Sequence, residues 1–154
     1  MTLVLEIEYL LGVAFAARSQ SSEVPDWPPQ PDRVFSALVA AWGARGERLK
    51  ERQALEWREI QAAPEVAASG GFARTAATVF VPPNDPETKR IADRGVLPSF
   101  RSRQPRRFPA YRPESPVVRF LWRETVTIAI LNDVAADVPY LGHYLPCGAT
   151  AQSG

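Results

Sequence analysis

Residues 2–11 read T-L-V-L-E-I-E-Y-L-L. Leu3, Leu5, Ile7, Tyr9 and Leu11 fall on one side of a period-two repeat, with Glu6 and Glu8 on the other. This is the pattern of a strand with one face in a core and one in water. Carboxylates in such an alternation are solvated rather than catalytic. Gly12 breaks or bulges the strand, and Val13 to Ala17 is expected to continue it.

The cover for this strand is written in the next fifty residues. Arg18 to Pro31 holds three serines and four prolines and reads as a loop. Its end, W-P-P-Q-P (27–31), fits a PxxP ligand, but as a stiff lead-in it also suits a helix starting there. Asp32 can cap that helix, or Pro31 can occupy its first turn. Val34, Phe35, Leu38, Val39 and Trp42 make one apolar stripe at helical spacing, and Gly43 is expected to end it. A more polar helix over Arg45 to Gln61, stopped by Pro64, is expected to lie half buried on the surface. Trp27, Trp42 and Trp57 are expected in the core or at a subunit interface.

Ser69-Gly70-Gly71 predicts a turn and Ala76 to Val81 a strand, stopped by Pro82-Pro83-Asn84-Asp85. Asn84-Asp85 is a turn signature rather than a metal ligand set. Gly70-Gly71 lacks the lysine and spacing of a nucleotide loop. Val117 to Trp122 alternates Val118, Phe120 and Trp122 against Val117, Arg119 and Leu121, a strand with Arg119 on its exposed face. Thr125 to Val138 is open between strand and helix, its length favouring a helix. Tyr144 to Gly154 has no periodicity and reads as a disordered tail. Strand, helix, helix, strand, basic loop, strand, helix is most of a β-α-β-β-α-β module. The expected class is α+β, ferredoxin-like (RRM-like), lacking its final strand, over residues 1–143.

Charge marks a second centre. Across 154 residues, 18 basic side chains meet 17 acidic ones. From Lys89 to Arg123, however, ten Lys and Arg face only Asp93 and Glu114, while both flanks are acidic. A basic block in an acidic chain is the electrostatic footprint of a polyanion site. Its densest part is P-S-F-R-S-R-Q-P-R-R-F-P (98–109), where prolines stiffen four arginines between Phe100 and Phe108. Proline rules out a regular helix or central strand, so a stiff loop is expected. Planar guanidinium forks suit phosphate, and flat rings suit stacked bases.

Composition bounds the rest. The length suits one domain, and 45% hydrophobic content suffices for a core. The longest uncharged apolar run, Val34 to Trp42, is far too short to span a bilayer, so a soluble, cytoplasmic protein is expected. One cysteine, Cys147, and one histidine, His143, argue against a disulfide framework and a zinc site. No cofactor is expected.

Specific strings resemble a known family. They are L-V-L-E-I-E-Y-L-L-G (3–12), the run W-P-P-x-P-x-R-V-F-S-A-L-V-A-A-W (27–42), A-L-E-W (54–57), F-V-P-P-N-D (80–85), L-P (97–98), R-Q-P-R-R-F-P (103–109) and Y-L-G-H (140–143). In order and spacing they resemble the CRISPR-associated RAMP superfamily, in particular the amino-terminal, Cas-five-like part of the fused Cas-five/Cas-six-type subunit of subtype I-G (formerly I-U) Cascade. The resemblance implies a subunit that holds the 5′ handle of CRISPR RNA. It also implies contact with the backbone and large subunits, target DNA being met only through the assembled complex. The family's second half resembles metal-independent ribonucleases and has no counterpart here. After His143 the family continues into a Ser-rich segment and another strand, whereas this chain reads Y-L-P-C-G-A-T-A-Q-S-G, which predicts a truncated or frame-shifted product.

Three readings compete. In the first, Arg101, Arg103, Arg106 and Arg107 contact RNA phosphates, with Arg112, Arg119 and Arg123 as an outer set. Gln104 then reads a base edge, and Phe100, Phe108 or Tyr111 stacks. The competing expectation for Phe108 and Tyr111 is that they anchor the loop to the core. In the second, the chain is a metal-independent endoribonuclease using His143 or Tyr111, although no proton-transfer pair is evident in the sequence. In the third, the basic loop meets only an acidic protein subunit.

Overall fold

The computed structural model describes residues 3–19, 23–74, 78–81, 103–123, 128–141 and 147–153. Its elements are β1 (Leu3–Tyr9), β2 (Ala14–Phe15), α1 (Pro31–Ala44), α2 (Leu49–Glu59), β3 (Glu65–Ala68), β4 (Gly71–Arg74), β5 (Thr78–Val81), β6 (Gln104–Arg107), β7 (Ala110–Pro113), β8 (Val117–Trp122), α3 (Ile128–Ala136) and β9 (Cys147–Ser153).

The opening strand lies at the centre of a four-stranded sheet in the order β3-β8-β1-β9, every neighbour antiparallel. Taken with its helices, the sheet strands run β1, α1 with α2, β3, β8, α3, β9 along the chain. That is the β-α-β-β-α-β connectivity of a ferredoxin-like fold, the class the sequence predicts, but its second strand is Glu65–Ala68 and not the expected Ala76 to Val81, of which Thr78–Val81 pairs outside the main sheet. The register sets Leu3 against Trp122, Leu5 against Phe120 and Ile7 against Val118. These side chains all point to one face and are buried there with Val34, Leu38 and Ala41 of α1, Ala54 and Leu55 of α2, and Leu131, Val134 and Ala135 of α3. The apolar alternation of β1 and β8 thus makes one wall of the core, and the helical stripes make the other.

The fourth strand corrects an expectation. Cys147–Ser153, taken from its sequence as part of a disordered tail, pairs with β1 over seven residues from Leu3↔Ser153 to Tyr9↔Cys147. Its small, polar residues carry no strand signal of their own. The open edge of β1 supplies the pairing, an instance of tertiary context deciding what propensity does not. The module therefore has its final strand, and β1 presents no open edge.

Between β3 and β8 the chain leaves the main sheet and builds two smaller ones. β4 and β2 flank β7 in a three-stranded sheet, and β5 pairs with β6 in a two-stranded ribbon. Gly12, at φ 66°, turns the chain out of β1, so Ala14–Phe15 joins this second sheet and does not extend the first. The basic segment is likewise corrected from loop to strand over Gln104–Arg107. A ribbon strand has one open edge, where the N–H that Pro105 lacks is not required.

The W-P-P-Q-P segment is held by a buried carboxylate. Asp26, 1% exposed, accepts a bond from Gln30 Nε2 at 3.1 Å and pairs with Arg33 at 2.9 Å. Arg33 also donates to the Ala17 carbonyl at 2.8 Å. Pro31 takes the first helical position, Gln30 is the N-cap, and α1 runs one residue past Gly43. Among the described residues no helix is long and apolar enough to cross a membrane.

Candidate nucleic-acid interface

The ribbon carries the densest charge. Its register sets Thr78 opposite Arg107, Val79 opposite Arg106, Phe80 opposite Pro105 and Val81 opposite Gln104. Period-two alternation then gives one face Thr78, Phe80, Pro105 and Arg107, and the other Val79, Val81, Gln104 and Arg106. All four residues of β6 are exposed, as is Arg103 before it. Arg106 donates to the Gln104 side-chain oxygen at 3.2 Å, so this amide is already engaged by its neighbour. Arg107 pairs with Glu23 and donates to Thr78 Oγ1 at 3.3 Å.

The three-stranded sheet adds a second group. Phe72 lies directly opposite Arg112, and Arg74 two residues on lies opposite Ala110, so Phe72, Arg74 and Arg112 share one face. All three are exposed. Tyr111 points the other way. Its ring stacks on Trp27 at 5.5 Å between centroids and 13° between planes, and Trp27 meets Tyr9 edge-on at 5.6 Å. Trp27 Nε1 donates to the Ser69 carbonyl at 3.0 Å, which closes the stack over the main sheet. Tyr111 is therefore the anchor that joins the second sheet to the core. Phe108 is half buried.

Not every predicted residue comes to this surface. Arg119 lies on the main sheet, opposite Glu6 across the β1–β8 register, and pairs with it at 2.7 Å. The outer face of that sheet also carries Glu8 and Glu65, so it is acidic overall and a poor platform for a polyanion. Arg101, Phe100 and His143 lie outside the described residues. Among the described residues no group of three or more His, Cys, Asp or Glu could hold a metal ion.

Three residues that the sequence does not single out complete the surface. Arg74 sits outside the basic block by numbering, yet β4 brings it beside Arg107. Phe72 and Phe80 remain 59% and 60% exposed, so each presents a flat ring on which a base can stack. The alternation of Phe72 with Arg74 in G-F-A-R was the available signal, hidden by the double glycine before it. Between ribbon and sheet lies a groove of about 410 Å³, lined by Glu23, Pro25, Ala73, Arg74, Thr78, Arg107 and Pro109.

Arginines and exposed rings interleaved on two adjoining β-surfaces can take a phosphate backbone and stack bases. Residues 4–145 match the family described as CRISPR-associated protein, GSU0054 family. The chain belongs to that family. No curated protein matches the chain.

Proposed function

We infer that this GSU0054-family chain binds CRISPR RNA through a surface made of both faces of the β5–β6 ribbon, with Arg103, Arg106, Arg107 and Phe80, and of the second-sheet face that carries Arg74, Arg112 and Phe72. It would serve as the Cas-five-like subunit that holds the 5′ handle of the guide in a type I, subtype I-G effector complex. The observation that carries this reading is the register that sets exposed phenylalanines beside exposed arginines on both small sheets. The acidic outer face of the main sheet fits the same reading, because it directs a polyanion to the ribbon. Backbone and large subunits of the complex are the protein partners this role requires, with target DNA reached only through the assembly. Tyr111, stacked on Trp27, acts as an anchor in this reading and takes no part in proton transfer.

The test is fluorescence anisotropy of the full chain with its cognate repeat RNA and with a scrambled RNA, across a salt series. The comparison variant changes Arg103, Arg106 and Arg112 to Ala together. Loss of affinity in the variant is expected, with a salt slope shallower by about 0.7 for each phosphate contact removed. Preference for the cognate RNA identifies a handle reader. Equal, weak binding by both proteins would transfer the basic face to an acidic protein partner.

A further inference from the structure

The groove between ribbon and second sheet holds two guanidiniums, one hydroxyl and one carboxylate. Arg74 comes from β4, Thr78 from β5, Arg107 from β6 and Glu23 from the segment before α1. Arg107 is held by Glu23 and by Thr78 Oγ1, and Arg74 has no ion pair among the described residues. Two cations against one anion leave the groove with a single net positive charge. Its volume of about 410 Å³ is ample for one tetrahedral anion and the sugar attached to it.

We propose that this groove is the seat for one phosphodiester of the bound RNA, in which Glu23 occupies Arg107 until the phosphate displaces it. The proposal rests on the RNA-binding reading above and names a site within that surface. Arg107 and Arg74 converge on the phosphate, Thr78 donates its hydroxyl to a non-bridging oxygen, and the Glu23 carboxylate swings into solvent. The exchange is cheap. Both partners of the Glu23 pair are more than half exposed, and an exposed ion pair is weak, whereas a guanidinium fork binds a phosphate through two parallel bonds.

The experiment compares wild type with Glu23→Gln, Arg74→Ala, Arg107→Ala and the double variant Glu23→Gln/Arg107→Ala. All four change exposed side chains, and far-UV circular dichroism checks that each keeps its fold. In anisotropy with the cognate RNA, Glu23→Gln is expected to tighten binding about two- to fivefold, the scale of an exposed charge interaction. Arg74→Ala and Arg107→Ala should loosen it, and Arg107→Ala should abolish the gain from Glu23→Gln. If Glu23→Gln leaves affinity unchanged or weakens it, while Arg103→Ala/Arg106→Ala/Arg112→Ala still loses RNA, the groove proposal falls and the RNA reading stands. Should wild type bind no RNA, the reading itself fails. The groove is then decided by titrating dimethyl phosphate and tracking the arginine Nε–Hε signals. Shifts at Arg74 and Arg107 that saturate earlier in Glu23→Gln support the site, and their absence overturns it.

Discussion

At the scale of single residues, aromatic side chains divide by what lies against their faces. Tyr111 has Trp27 stacked on it, so Tyr111→Ala should lower the unfolding free energy by about 2–4 kcal/mol, lost ring area together with the stacking term. Tyr111→Phe should leave both stability and RNA affinity nearly unchanged. Phe80→Ala should do the reverse of Tyr111→Ala, sparing the melting temperature while weakening RNA binding by about 1–3 kcal/mol, the cost of losing a stacked base. Calorimetry and anisotropy on the same preparations separate the two. Arg119→Ala should have little effect on either readout, because its pair with Glu6 is exposed and belongs to another sheet. Arg58 is a different kind of arginine. It is 9% exposed and lies 4.0 Å over the Trp122 ring, and burial lowers its pKa from the ordinary arginine value. A base whose folded value is depressed costs stability at every pH below that value, neutral pH included, and the ring offsets only part of this. Arg58→Met should therefore leave stability unchanged or raise it by about 1 kcal/mol in chemical denaturation.

At the scale of elements, β4 depends on a close approach. A Cβ on Gly71 would lie 2.3 Å from the Arg112 carbonyl oxygen and 2.7 Å from Pro113 Cα, both backbone atoms that cannot yield. Gly71→Ala should thus push β4 off β7 and carry Arg74 away from the groove. The variant is expected to lose about 2 kcal/mol or more, read by melting, and to bind RNA more weakly. The same elements show what was legible in the chain. β1, β8 and α1 were readable because a half-buried strand and a half-buried helix each impose a period on the sequence. The four-residue strands β3, β4 and β7 were not, since two full alternations are too few to stand out, and the residues of β3 and β4 are largely exposed. α3 was ambiguous for the opposite reason, Ile128 to Val134 being apolar enough to satisfy either period. The basic block was visible as charge, but charge does not say which face a residue takes. Only the β5–β6 register separates Arg106 from Arg107, and only β4 pairing brings in Arg74.

On the scale of the whole molecule, the chain separates its tasks. The ferredoxin-like core holds the large apolar cluster, and the excursion between β3 and β8 holds the exposed phenylalanines and the arginines beside them. Raising ionic strength should leave the core's stability almost unchanged while RNA affinity falls steeply, a contrast visible in one salt series read by both melting and anisotropy. The central strand has one further property. β1 is made almost first, yet its two neighbours arrive more than a hundred residues later, and Val4 meets Gln152 in the finished sheet. Local contacts can form α1 and α2 early, but no part of the sheet can close around β1 until synthesis has passed Val117, and it is not complete until Ser153. During translation the central strand of the main sheet therefore waits without partners. A nascent chain arrested before Cys147 should remain sensitive to protease and prone to capture by chaperones, and one released beyond Ser153 should become resistant.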